Sequence, residues 1–333
     1  MIRHIQTIDA HAAGEPLRLV TNGFPSPSGD TMLEKREWAS EHCDPLRRAL
    51  LREPRGHADM YGAVLTEPCV ESAHAGILFM HNQGFSTMCG HGVIAVCTIA
   101  LERALIVTPG EPATFVLDSP AGLVRARAER GAPGGDSLVR VQRVAFENVP
   151  SFVLHPGLSI VVGDRSVRVD VAFYAIVDAE AVGLPLRREA LGQLRRVGAE
   201  LARAVEAAIR VAHPVEPGLH GIYGTVFTGM PNRPDADLRN VTVFADRQVD
   251  RSPCGTGTAA VMAVLDAMGM LVAGEPFNHE SIVGTLFRGH VLRRTSVGDC
   301  EAIVVEIEGS AWITGEHSYL IDDEDPLREG FLL

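Results

Sequence analysis

One turn occurs twice in this chain, and that repetition constrains the fold more than any other feature. Cys89-Gly-His-Gly-Val-Ile-Ala-Val96 recurs as Cys254-Gly-Thr-Gly-Thr-Ala-Ala-Val261, with Cys, Gly, Gly, Ala and Val in the same register. The copies stand 165 positions apart in a chain of 333 residues, close to half its length. Two related halves that each present one such turn account for that spacing, and the length alone favours two domains. Each copy runs on into a helical pattern, through 97–103 in one half and 262–268 in the other. Cys89 and Cys254 are therefore expected at helix N-termini.

A helix N-terminus carries amide N–H groups with no partner inside the helix and a dipole equivalent to about half a positive charge, so it favours anions. A thiolate is such an anion, and a cysteine placed there can have its pKa lowered. The glycines that follow allow close approach of backbone to a ligand, and the same donors can hold a carboxylate. Two such cysteines facing one carbon would form an acid/base pair, the thiolate removing a proton from one face while the thiol returns one to the other. That inversion needs no metal where N–H donors stabilise the charge developing on an α-carboxylate. His91 and Asp250 flank the two cysteines as polar partners for a substrate amine.

Composition removes several rival readings. A formal charge of -12, from 30 Lys+Arg against 42 Asp+Glu, disfavours a nucleic-acid binder, whose affinity rests on a basic face. The other four cysteines, Cys43, Cys69, Cys97 and Cys300, are scattered; neither CxxC nor HExxH spacing occurs, so no structural disulfide or metal site is expected. No apolar run approaches the roughly 18 residues of a membrane span, and the N-terminus has no signal-peptide core; a cytoplasmic protein with reduced thiols is expected. Both turns also satisfy GxGxxA, a dinucleotide-binding pattern, but polar Asp250-Arg-Ser-Pro253 separates the second from the nearest strand. His11, His57 and His81 read as structural.

Short segments rich in β-branched residues read as strands at 75–80, 138–142, 167–171, 241–244 and 302–307. Segment 32–51 reads as one charged surface helix, and 185–209 as a second long helix with Pro185 in its first turn. Gly131-Ala-Pro-Gly-Gly-Asp136 is a turn-rich loop, and a domain transition is expected near Val149-Pro150.

Met88-Cys-Gly-His-Gly92 and Asp250-Arg-Ser-Pro-Cys-Gly-Thr-Gly257 resemble the two signature motifs of the proline racemase family, which includes proline racemases, hydroxyproline 2-epimerases and trans-3-hydroxy-L-proline dehydratases. The resemblance extends to Gly14-Glu-Pro16, Glu53-Pro-Arg-Gly-His57, Asp59-Met-Tyr-Gly62, Phe244-Ala-Asp246 and the tail Asp325-Pro-Leu-Arg-Glu-Gly-Phe331. It implies an α/β fold of the diaminopimelate-epimerase type: two pseudo-symmetric domains, each a sheet wrapped around a central helix, with substrate between them. The domains would be 1–148 plus 311–333, carrying Cys89, and 149–310, carrying Cys254. By the same resemblance the enzyme needs no cofactor or metal, binds a small imino acid, and forms a homodimer. Cys89 and Cys254 would be the bases. Amides of Gly90, His91, Gly255 and Thr256 would hold the carboxylate, His91 and Asp250 the ring nitrogen, and Tyr61 and Phe244 would wall the ring.

Dehydratases of the family usually carry Thr at the second cysteine position, so Cys254 implies racemisation or 2-epimerisation of proline or hydroxyproline. Residues 81–89, 309–317 and the tail instead resemble the dehydratase branch, which keeps dehydration with Cys89 as the Cα base as the alternative. The chain departs from the family pattern at Ala13, where relatives carry Gly. It departs again at 169–177, which lacks a Gly-Gly that many relatives have before the Phe-Tyr pair. That shortening suggests a third reading, a non-catalytic imino-acid binding protein.

Overall fold

The computed structural model describes residues 2–131, 139–216, 218–245, 247–272 and 274–333. The turn-rich stretch 131–136, apart from Gly131, and Asp246 lie outside the described residues. The chain divides into two compact units, one formed by Met1–Phe146 with Glu308–Leu333 and the other by Glu147–Ile307.

In the first unit the strand Ile2–Ala12 lies between two antiparallel neighbours, Glu15–Asn22 and Ala311–Asp322. The sheet continues from Glu15–Asn22 through a parallel pairing to Tyr61–Thr66 and an antiparallel one to Ala75–His81. Ala75–His81 then pairs with Gly84–Ser86 and, in parallel, with Ala113–Ser119, which leads on to Gly122–Arg130 and Val141–Glu147. Three helices accompany these strands: α1 Met32–His42, α2 Asp44–Leu51 and α3 Gly90–Glu102. Every residue of α3 from Gly90 to Leu101 is buried, and the helix packs against four strands of its sheet and Gly122–Arg130. A helix buried on every face in this way belongs inside a core.

Segment 32–51 is two helices rather than one. Pro45 cannot donate an amide hydrogen bond, so it is accommodated in the first turn of a new helix. Cys43 ends α1 and begins α2. The first helix opens with a capping box between Thr31 and Glu34. The second turns Leu46, Ala49, Leu50 and Leu51 into the core with Met32, Ala39, Leu78 and Met80. The pair is thus half-buried, not a free surface helix. Arg47 Nη1 donates to the His81 carbonyl at 2.6 Å, and Asn82 Nδ2 donates to the Leu51 carbonyl at 2.7 Å, which ties α2 to the end of strand Ala75–His81.

In the second unit His155–Val162, Arg165–Val171 and Tyr174–Asp178 form an antiparallel run. Tyr174–Asp178 then pairs in parallel with Gly224–Gly229, which is antiparallel to Leu238–Phe244. Leu238–Phe244 carries Gln248–Asp250 on one stretch and Phe277–Glu280 on another, and the latter leads to Leu286–Val297. Helix α4, Leu191–Ala208, buries Leu194, Gly198, Leu201 and Val205 on one stripe against this sheet. Its α-helical body begins later than expected, after a single 3-10 turn at Arg188–Ala190, so Pro185 lies before the helix. Helix α5, Gly255–Ala267, is buried from Gly257 to Val264.

Of the strands read from sequence, four are present as Ala75–His81, Arg165–Val171, Leu238–Phe244 and Cys300–Gly309. The fifth begins at Val141 and runs to Glu147, later than expected. Among the described residues no helix is long and apolar enough to cross a membrane.

Candidate active site

Cys89 and Cys254 both occupy N-cap positions, of α3 and α5 respectively. The first intrahelical hydrogen bonds run from Val93 to the Cys89 carbonyl and from Thr258 to the Cys254 carbonyl. The amides of Gly90 and His91, and of Gly255 and Thr256, therefore precede the first bonded turn, as the anion-binding reading requires.

The third residue after each cysteine is glycine for the same steric reason. A β-carbon on Gly92 would lie 2.5 Å from Phe79 Cε1 and 3.0 Å from Cys89 Sγ; one on Gly257 would lie 3.0 Å from Cys254 Sγ. The repeat thus preserves a hollow into which the cysteine's own sulfur folds.

In the first unit the sulfur of Cys89 lies 3.3 Å from His91 Nδ1. The His91 ring meets Tyr61 edge-on, with centroids 4.7 Å apart and planes at 86°. Tyr61 opens strand Tyr61–Thr66 opposite His81. Four of the expected residues, Tyr61, Cys89, Gly90 and His91, are therefore one buried cluster.

The second cluster is built on the link from strand Gln248–Asp250 into α5. Asp250 is buried, and its Oδ1 accepts from the Ser252 amide at 2.8 Å and from the Ser252 hydroxyl at 2.7 Å. Ser252 Oγ accepts in turn from the Cys254 amide at 3.1 Å. The Pro253 carbonyl is held by Asn240 Nδ2 at 2.9 Å and Thr258 Oγ1 at 3.1 Å, both of which also meet His279. These contacts fix the peptide on each side of Cys254, which adopts φ +63°, a region that L-residues other than glycine rarely occupy. Cys89, by contrast, has ordinary extended backbone at φ −148°.

Burial decides the electrostatics of this cluster. Burial pushes Asp250 up to about 6, against the pull of its Ser252 hydrogen bonds. Burial likewise pushes the Cys254 thiol up to about 12; the Asp250 charge adds to this, and the Gly257 N–H donated at 3.3 Å offsets only part. At Cys254 the direction is opposite to the lowering that a helix N-terminus can give: desolvation of the charged form outweighs the Gly257 amide and the Thr256 and Tyr174 hydroxyls. His279 is pushed down to about 3 by burial and is neutral.

Three residues join the cluster that the sequence reading did not single out. Ser252 lay inside the quoted Asp-Arg-Ser-Pro-Cys motif. Tyr174 lay in the shortened segment, and its hydroxyl stands 2.6 Å from Thr256 Oγ1 and 3.8 Å from Cys254 Sγ. Tyr223 meets Tyr174 edge-on at 5.4 Å and stacks on Phe244 at 6.0 Å with planes 2° apart. Phe244 is thus joined to the cysteine end of the cluster through two tyrosines.

Similarity to known proteins extends along nearly the whole chain. The proline racemase family profile matches residues 7–332. A trans-3-hydroxy-L-proline dehydratase of Bacillus thuringiensis subsp. konkukian is 47% identical over 331 residues, 98% of this chain and 97% of its own. A 3-hydroxyproline 2-epimerase of Burkholderia multivorans is 43% identical over 339 residues, 99% of this chain and 98% of its own. A proline racemase of Clostridioides difficile is 41% identical over 340 residues, with the same coverage. A crystal structure of a hydroxyproline epimerase from Agrobacterium vitis with bound trans-4-hydroxy-L-proline superposes with a TM-score of 0.88 at 30% identity, covering 99% of this chain and 95% of that one. Sequence motifs, a mixed α/β fold with a cysteine at each helix entrance, and full-length similarity agree: the chain belongs to the proline racemase family.

Proposed function

We propose that the chain is a cofactor-independent racemase or 2-epimerase of proline or a hydroxyproline, in which one cysteine removes the Cα proton and the other supplies one to the opposite face. The observation that carries this reading is the matched pair of cysteine N-caps, each followed by a glycine that makes room for its sulfur. Amides of Gly90, His91, Gly255 and Thr256 receive the carboxylate, and stabilise the charge that grows on it as the Cα–H bond breaks. Asp250, ionised above about pH 6, complements a secondary ammonium, as does His91 through its ring. Tyr61 and Phe244 offer apolar faces to the ring. Burial keeps Cys254 a thiol at neutral pH, which suits it to the proton-donor role in the first turnover, with Cys89 as base.

Dehydration of trans-3-hydroxy-L-proline is the second reading. The Bacillus thuringiensis dehydratase, at 47% identity, favours it. It needs one Cα base, Cys89, with the 3-hydroxyl leaving as water once it has taken up a proton.

Incubation with L-proline, trans-4-hydroxy-L-proline and trans-3-hydroxy-L-proline separately in heavy water, followed by NMR, tests both. Deuterium at Cα with inversion supports the first reading. Loss of the ring hydroxyl to a pyrroline carboxylate supports the second. Calorimetric binding with neither exchange nor elimination would reduce the protein to an imino-acid binder.

A further inference from the structure

We propose that Tyr174 and Thr256 form a paired-hydroxyl relay that orients Cys254 and leaves one hydroxyl proton available to its sulfur whenever the sulfur is a thiolate. Both act through Cys254 and are positioning residues; the inference rests on reading Cys254 as a proton-transfer group.

Tyr174 is placed rigidly. It begins strand Tyr174–Asp178, which is hydrogen-bonded on both sides, to Arg165–Val171 and to Gly224–Gly229. The shortened segment delivers it: the chain turns in the residues between Val171 and Tyr174, with Phe173 at φ +59°. A bulky residue in the left-handed region is disfavoured. Phe173 is held there by edge-on contact with Phe152 at 5.9 Å and by His213 at 6.0 Å.

The three polar atoms form a triangle with one short side. Tyr174 Oη and Thr256 Oγ1 are 2.6 Å apart, and each is 3.8 Å from Cys254 Sγ. Each hydroxyl has one proton, and the short side uses one of the two. If Tyr174 donates to Thr256, the Thr256 proton points to sulfur; if Thr256 donates to Tyr174, the Tyr174 proton does. Either order supplies one donor to a thiolate, beside the Gly257 amide at 3.3 Å. When sulfur is protonated, the hydroxyl nearest it can turn and accept instead. The relay itself stays neutral, because burial holds the Tyr174 phenol well above its ordinary value. The titratable or charged groups facing this triangle are Asp250, which opposes thiolate formation, Tyr223 against the Tyr174 ring, and Arg251 beside Asp250.

The arrangement is redundant, and redundancy has a specific signature. Tyr174→Phe leaves Thr256 able to reach sulfur, and Thr256→Val leaves Tyr174 able to do so. The test is the rate of iodoacetamide alkylation of Cys254 from pH 7 to 11, read by peptide mass mapping on the full chain carrying Cys89→Ser. Each single variant is expected to slow alkylation at fixed pH by about threefold or less. The double variant should slow it by about thirtyfold or more, well beyond the product of the two single effects, as expected for loss of a hydrogen bond to a charged group, with the pH profile displaced upward. Thr256→Ser in the Tyr174→Phe background should restore the single-variant profile and shows that the fold is intact. A double variant with the parent pH profile, or effects that only multiply, overturns the relay. Cα exchange of an imino acid by the unmodified protein is measured separately: its absence sinks the proton-transfer reading of Cys254 without altering the alkylation profile.

Discussion

Gly257 donates its amide to Cys254 Sγ at 3.3 Å, and a β-carbon on the same glycine would stand 3.0 Å from that sulfur. The residue that stabilises the thiolate is therefore also the residue that leaves space for it. Gly257→Ala is expected to displace the sulfur and slow its alkylation. Gly92→Ala should cost more stability, because its new methyl meets the fully buried Phe79 ring at 2.5 Å. Overpacking of this kind costs about 1–3 kcal/mol, which scanning calorimetry would register as a midpoint several degrees lower. An unchanged midpoint for Gly92→Ala would mean that the hollow is not needed.

Replacement of either thiol separates the two reactions. Cys89→Ser is expected to abolish inversion and elimination alike, by about 10²–10⁴-fold, the range for loss of a general acid or base. Cys254→Ser should abolish inversion to a similar extent while sparing elimination from trans-3-hydroxy-L-proline. Polarimetry and product NMR on the same samples distinguish these outcomes. Full racemisation by either variant would contradict the two-thiol scheme.

Asp250 makes a pH-dependent contribution of unusual sign. Its folded-state value, about 6, is above the ordinary 3.8, so between those values the folded chain keeps a proton that the unfolded chain has lost. Stability from this group is greatest below 3.8 and falls as pH rises towards 6, by about 3 kcal/mol in all. Asp250→Asn lacks this dependence. Urea unfolding at pH 4 and pH 7 should show the variant gaining about that much relative to the parent at the higher pH, even as Cα exchange slows. A pH-independent difference would show that Asp250 titrates normally.

His279 works in the opposite direction. Burial takes it from 6.5 to about 3, so below pH 6.5 the unfolded chain binds a proton that the folded chain refuses. Its stabilising share is complete above 6.5 and is lost as pH falls towards 3. His81, lowered to about 4 by burial and then by the Arg47 charge, adds to the same trend. In His279→Gln one proton of this acid sensitivity disappears, and its stability difference from the parent should change by about 1.4 kcal/mol per pH unit below 6.5. Parallel stability curves for the two proteins would exclude a buried neutral His279.

Much of the architecture was legible in the sequence because it depends on local patterns. Runs such as Arg165–Val171 and Cys300–Gly309 announce strands through their β-branched residues, and the two Cys-Gly-x-Gly turns announce helix entrances. The break between α1 and α2 is hard to read because segment 32–51 keeps helical composition across Cys43, and Pro45 is compatible with the first turn of a helix. The upward direction of the Cys254 shift has a different origin. A helix N-terminus is a local feature, whereas the burial that raises this thiol depends on chain elements far away in sequence. Tyr174 was overlooked for the same reason. Its tie to Thr256 joins residues 82 positions apart, and the segment that holds it drew notice only for what it lacks.

The strand Ile2–Ala12 is flanked on one side by Glu15–Asn22, a few residues downstream, and on the other by Ala311–Asp322, some three hundred residues downstream. On a ribosome these two partners emerge some three hundred residues apart. Ile2–Ala12 thus appears well before its second partner, whereas the intervening segment Glu147–Ile307 is continuous and can complete its own core first. Until the final strand is released, one long hydrogen-bonding edge of the nascent chain stays open to any β-segment it meets.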